Sequence, residues 1–227
     1  MVALFVALMF IGFLLTDAVV QRVGRKAPVP GEPAWEIPRG FYLFEGHIWS
    51  HPDSSLGVRL GVDPLVAHAL GTVEKVILPK LGQMVEAGQP LFRLERQGRG
   101  LIVESAVTGR VVALNTRLGK HPQSVAKDPY GSGWICAITP TQSGASPNGM
   151  RCGQKAADWL EQEFYRFREF LSLQVSPHLA VDITFADGGL PAIGALAELP
   201  LTGWGAFEAT FLTTGTAGTR GSVQETS

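Results

Sequence analysis

The chain opens on an uninterrupted apolar stretch. Val2 to Val20 reads VALFVALMFIGFLLTDAVV, apolar except for Thr16 and Asp17. About 20 such residues in a helix cross the hydrocarbon core of a bilayer. No Lys or Arg precedes the stretch, and no clean small-x-small cleavage site follows it. Arg22, Arg25 and Lys26 lie just beyond it. A retained transmembrane anchor over residues 1–21 is therefore expected rather than a cleaved signal peptide. The positive-inside rule then puts the body on the cytoplasmic side. Residues 22–38 end in APVPGEPAWEIP, whose four prolines predict an extended linker.

From Gly40 the pattern changes to short apolar runs separated by turn residues. Phe41–Phe44 and His47–Trp49 predict a first hairpin, and Leu56–Val62 the next strand. Asp63-Pro64 is an N-cap and N1 pair that starts a short helix through Leu70. Val73–Leu78 alternates as a strand. Gly82 and Gly88 then bracket another short strand and supply turn positions. Pro90–Glu95 runs outward, Arg96–Gly100 forms a tip, and Leu101–Ser105 returns. A further turn at Thr108-Gly109 leads into Arg110–Leu114. Val76–Gly88 and Gly88–Gly109 are two similar halves, a pattern suited to a small barrel-like sandwich.

After Pro140 the composition shifts. Residues 141–152 predict a Gly/Ser/Pro/Asn-rich linker. Within Lys155–Ser172, Leu160, Phe164, Phe167 and Leu171 recur at helical spacing. Asp158, Glu161, Glu163, Arg166, Arg168 and Glu169 are expected on the other faces. That helix begins an α+β extension over 153–212, with a strand at Ala180–Phe185 and a short helix around Phe207. Residues 213–227, rich in Thr, Gly and Ser, are expected to be disordered.

Composition narrows the function. The 227 residues carry a net charge of −1, which gives no basic excess for nucleic acid. The 27 glycines and 15 prolines favour a β-rich body over a helix bundle. Two cysteines, Cys136 and Cys152, form no CxxC pair. Cys136 lies in the strand-like run WICAI and is expected to be buried. Cys152, beside Arg151 near a helix start, is a plain exposed or half-buried thiol, or a redox-active one. His47, His51 and Asp53 are close in sequence, but no third convergent ligand completes a metal site. His68, His121 and His178 are expected at the surface. No G-x-S-x-G, Walker, GxGxxG or HExxH pattern occurs, so no enzyme activity is expected.

His47-x-Trp49, the run GVDPLVAHALGTVEKVILPKLGQMVEAGQPL (61–91), VESAVTGRVVALN (103–115) and DPYGSGWI (128–135) stand in a specific order and spacing. In these residues, the stretch from about 37 to 140 resembles the H protein of the glycine cleavage system. The resemblance implies a mainly β lipoyl-carrier fold over 39–140, a barrel-sandwich hybrid of two small sheets with peripheral helices. The membrane segment is an addition to it. It also implies a lysine at the hairpin tip, joined to lipoate through an amide that only an amine can form. The family motif resembles Glu-Ser-Val-Lys-Ala. Here the matching residues are Glu95-Arg96-Gln97-Gly98-Arg99, which puts Gly98 at the lysine position.

The six lysines are Lys26, Lys75, Lys80, Lys120, Lys127 and Lys155, and none falls at the tip. Lys80, in another turn region, is the one remote substitute. Arg96 and Arg99 remain protonated and are not acylation nucleophiles. Hence no lipoyl cofactor is expected. Arg96, Gln97, Gly98 and Arg99 form a flexible basic loop, either a docking loop for an acidic surface or a solvated turn. The reading is of a membrane-tethered, non-lipoylated binding or assembly module. Its partners would be the membrane and a protein, such as a lipoyl-dependent or membrane redox complex. A carrier or accessory role in a glycine cleavage or other lipoyl-dependent system is the alternative, and a cysteine-based redox accessory is a second.

Overall fold

The computed structural model describes residues 36–141, 149–174 and 190–213. The anchor expected over 1–21, most of the linker after it, the strand at Ala180–Phe185, His178 and the tail beyond Thr213 lie outside the described residues. Among the described residues no helix is long and apolar enough to cross a membrane.

Among the described residues, ten short strands form two antiparallel sheets. In chain order they are β1 (Tyr42–Phe44), β2 (Ile48–Asp53), β3 (Gly57–Val62), β4 (Lys75–Ile77), β5 (Met84–Val85), β6 (Pro90–Arg96), β7 (Arg99–Glu104), β8 (Gly109–Leu114), β9 (Cys136–Pro140) and β10 (Arg151–Cys152). The larger sheet runs β10-β1-β2-β3-β9-β8-β5, and the smaller runs β4-β6-β7. Among the described residues, four α-helices accompany them: α1 (Pro64–Leu70), α2 (Ser124–Lys127), α3 (Gly153–Gln174) and α4 (Leu201–Phe207). The end of the expected 141–152 linker differs from the sequence reading. Arg151 and Cys152 pair with Leu43 and Tyr42 as the edge strand β10. Such a two-residue strand is too short for any periodicity to reveal.

The predicted turns have visible causes. Asp63 caps α1, its carboxylate accepting from the Leu65 and Val66 amides. Asp128 holds the corner of DPYGSGW, accepting from the amides of Gly131 and Ser132 at 3.1 and 2.6 Å. Asn115 locks the same corner by donating to the carbonyls of Ser132 and Trp134.

Between the sheets Trp49, Leu60, Val62, Leu94 and Leu101 are fully buried. Trp49 pairs with Gly61 across β2 and β3, and its ring lies where a Cβ on Gly61 would sit, 2.5 Å from Cζ2. Gly61→Ala is expected to push the indole out of place and lower stability by about 1–3 kcal/mol. Urea unfolding followed by Trp fluorescence would measure it.

A second part of the core is aromatic. Phe167 and Phe170 of α3 meet Phe207 and Phe211. Phe211 lies in a π-helical turn, Glu208–Leu212, which continues α4. One expectation about α3 needs correcting. Glu163, assigned to an outer face, is only 5% exposed. It falls three residues after Leu160, within the apolar stripe, and burial there is possible because charged partners await it.

Candidate functional site

The β6–β7 hairpin ends in a two-residue turn, with Arg96 opposite Arg99. Gln97 and Gly98 both adopt the left-handed region, at φ +51° and +71°. This is the backbone of a tight hairpin turn, whose twist matches that of the strands. The Gln97 amide donates to Glu74 Oε2 at 2.8 Å. Gly98 stands at the exposed end, and a Cβ built there meets nothing within 4 Å. A longer side chain would project into open space.

The four loop residues divide into two pairs. Gln97 and Gly98 are exposed, but Arg96 and Arg99 are half-buried and turned back onto the chain. Arg96 donates to the Leu70 carbonyl at the end of α1, and its guanidinium lies against Gly194. Arg99 donates to the carbonyls of Leu199 and, at 3.4 Å, Ala197. Its guanidinium also lies 5.9 Å from the Trp204 ring centroid. Next along β7, the Ile102 amide donates to Glu208 Oε2 at 2.8 Å. Since β7 is an edge strand of the smaller sheet, this carboxylate satisfies a donor that would otherwise be open to another strand. Residues 195–212 thus cover the hairpin.

Among the described residues no lysine stands at the tip. Lys75 pairs with Glu95 at 3.2 Å on β4. Lys80 is exposed in the turn before β5, Lys120 and Lys127 sit at the α2 corner, and Lys155 is on α3. A lipoyl group needs an amine at the tip, and Gly98, Gln97 and the two engaged guanidiniums supply none. The residues present do not fit that group.

The histidines separate. His47 is 1% exposed, at φ +56° in the β1–β2 loop. Its Nδ1 is 2.7 Å from Asp63 Oδ2, and its Nε2 is 3.4 Å from Glu163 Oε2. Arg166 donates to both Glu163 oxygens at 2.7 Å, and Trp159 stacks on the imidazole. Burial alone would lower the His47 pKa, but Asp63 and then Glu163 outweigh it and hold it at about 9. Burial likewise pushes the Glu163 carboxyl up, yet His47 and Arg166 bring it below its usual range. The result is a buried imidazolium between two carboxylates, joining the first hairpin, the start of α1 and α3.

His51 is elsewhere, tilted against Phe41, while Asp53 holds its own turn and Arg59. Among the described residues no three His, Cys, Asp or Glu side chains are placed to hold a metal. His68, expected at the surface, is half-buried; its Nε2 lies 2.6 Å from the Pro191 carbonyl. Burial lowers its pKa below the ordinary histidine value, so near neutral pH the ring is uncharged and donates. His121 is exposed. Cys136 is buried in β9, and burial raises its thiol to about 12. Cys152 is exposed. Three strands separate β9 from β10, roughly 19 Å at the spacing of neighbouring strands, so the two thiols do not pair.

The sequence of this domain has counterparts among known proteins. The family model described as glycine cleavage H-protein matches residues 41–163, and the chain belongs to that family. The chain is 33% identical over 109 residues to the glycine cleavage system H protein of Thermus thermophilus, covering 48% of this chain and 84% of that one. It is 32% identical over 111 residues to the glycine cleavage system H protein of Corynebacterium jeikeium, covering 48% and 87%. A crystal structure of a glycine cleavage system H protein from Mycobacterium marinum is similar at 27% identity and a TM-score of 0.47. That match covers 56% of this chain and 98% of that one.

Proposed function

We propose that this chain is a non-lipoylated member of the H-protein family that serves as a binding or assembly module. Its N-terminal segment tethers it to a membrane, with the body on the cytoplasmic side. The observation that carries the reading is the tip. The hairpin scaffold is complete, but Gly98 stands where the family resemblance requires an amine. Arg96 and Arg99 beside it are engaged with the chain's own carbonyls. Any reaction would then belong to partner enzymes. The intact scaffold also favours a second reading, an accessory to a glycine cleavage or other lipoyl-dependent system that holds partners rather than carrying the group. The apolar stretch Val2–Val20 with its following Arg22, Arg25 and Lys26 supports the tether.

Intact-mass measurement on protein from its native host tests the first part. An unmodified mass is expected, and a lipoyl increment would overturn the reading. Gly98→Lys sharpens it. The side chain has open space, and the left-handed backbone is expected to cost about 1 kcal/mol. Incubated with a lipoate ligase, lipoate and ATP, the variant is expected to gain one lipoyl group while the natural chain gains none. For the tether, the full chain is expected in the alkaline-washed membrane pellet. Its appearance in the supernatant would end that part.

A further inference from the structure

The smaller sheet ends at β7. Beyond Arg99, β7 reads Gly-Leu-Ile-Val-Glu, without a proline and with no charge before Glu104. Such an edge is a template for another strand unless something blocks it. The block comes from beyond the family domain, whose match ends at residue 163. α4 and the π-helical turn after it pack along β7. The Ile102 amide turns out of the ladder and donates to Glu208 Oε2 at 2.8 Å. That carboxylate stands where the carbonyl of a neighbouring strand would accept.

This cover docks at a cost. Trp204 is 2% exposed, and its indole N–H meets no acceptor among the described residues. In a released segment water would satisfy that donor, so its burial opposes docking. Glu208 opens a π-helical turn, a rare geometry that is frequent at functional sites. Packing of Phe207 and Phe211 on α3 offsets both. The edge is thus closed by a separate helical segment and one side chain, not by a further strand of the sheet.

We infer that β7 is an interaction edge for a second copy of this chain, held closed by residues 195–212. The edge is complementary to itself. Antiparallel pairing of two β7 strands about a two-fold axis at Ile102 sets Ile102 opposite Ile102 and Gly100 opposite Glu104. The two Ile102 residues, freed from Glu208, then exchange both their amide-to-carbonyl bonds. No like charges stand opposite one another in this register. The two three-stranded sheets join into one of six strands, and a two-fold contact closes at two copies instead of growing. This pairing is independent of whether the tip is lipoylated.

The test is the mass of the full chain in an uncharged detergent, read by light scattering on a sizing column. The natural chain is expected as a monomer. Phe207→Ala/Glu208→Ala, which loosens the cover and frees the Ile102 amide, is expected as a dimer. Adding Ile102→Pro is expected to return the monomer. The Ile102 N–H lies outside the ladder, so proline there removes the pairing donor without breaking the sheet. Glu208→Ala alone changes only a half-buried side chain, and it covers the case in which the double variant loses its native circular dichroism. It is expected to shift the equilibrium toward dimer, at least tenfold in the association constant, and Ile102→Pro is expected to reverse that shift. A natural chain that is already dimeric and is made monomeric by Ile102→Pro would overturn the closed state. Folded variants that stay monomeric, a dimer that survives Ile102→Pro, or growth beyond two copies would overturn the assignment of the edge.

Discussion

His47→Asn is expected to lower the unfolding free energy by about 3–5 kcal/mol, the range for breaking a buried ion pair from one side. Asparagine tolerates the left-handed backbone at this position, so the loss reports the charge rather than the turn. Without the imidazolium, Asp63 keeps its bonds to the Leu65 and Val66 amides, and Glu163 keeps Arg166. Both nevertheless remain as buried carboxylates with no cation between them.

The pH dependence carries the same signature. The His47 pKa is raised from 6.5 to about 9 by folding. Its contribution is therefore fully present below 6.5 and is lost as pH rises through 9. The shift corresponds to about 3 kcal/mol. Cys136 also holds its thiol protonated, but that effect begins only above the ordinary thiol value of 9. His68 acts on the other side. Its folded pKa lies below 6.5, so protonation favours the unfolded chain as pH falls under that value. Stability should therefore peak near pH 6.5, decline toward 9, and lose that alkaline decline in His47→Asn. Urea midpoints across pH 5 to 9 would show it. An unchanged slope in the variant would refute the assignment.

Phe207→Ala is expected to have an effect of similar size, about 3–5 kcal/mol. The ring is fully buried, edge-on to Phe167 at 5.4 Å and stacked on Phe211 at 4.9 Å. Removing it takes the central contact between α3 and the segment that covers the hairpin. The loss should be felt first in that segment. Hydrogen exchange is expected to speed up across residues 195–212 and at the Ile102 amide, which Glu208 protects. Amides of β2 and β3 should keep their protection until global unfolding. Uniform acceleration across both sheets would mean that the cover is an inseparable part of the core.

Much of this was legible in the sequence because it depends on neighbours along the chain. Asp63-Pro64 starts a helix through local hydrogen bonds, and Asp128 holds a corner only a few residues long. Gly82 and Gly88 adopt positive φ at +80° and +83° where the turns predict it. The register that puts Gly98 at the tip needs only counting between glycines, and the two-residue turn agrees with it. The candidate loop was only half legible. Its exposure at Gln97 and Gly98 follows from being a turn. The engagement of Arg96 and Arg99 with the carbonyls of Leu70 and Leu199 joins residues 26 and 100 positions apart. The histidine cluster was hidden for the same reason, since His47 meets Glu163 across more than a hundred residues. A carboxylate within the apolar stripe of α3 was its one local trace.

The sequence by itself determined that the chain carries a tight hairpin with Gln97 and Gly98 at its tip. That is covalent identity plus short-range geometry, and no packing can alter it. Only the tertiary structure decided what surrounds the tip. Burial of Trp204, Phe207 and Phe211 against α3 brings the C-terminal segment over β7. Once it is there, its carbonyls take up the arginines and Glu208 closes the strand edge. Those contacts follow from hydrophobic packing between distant segments, which no local pattern specifies.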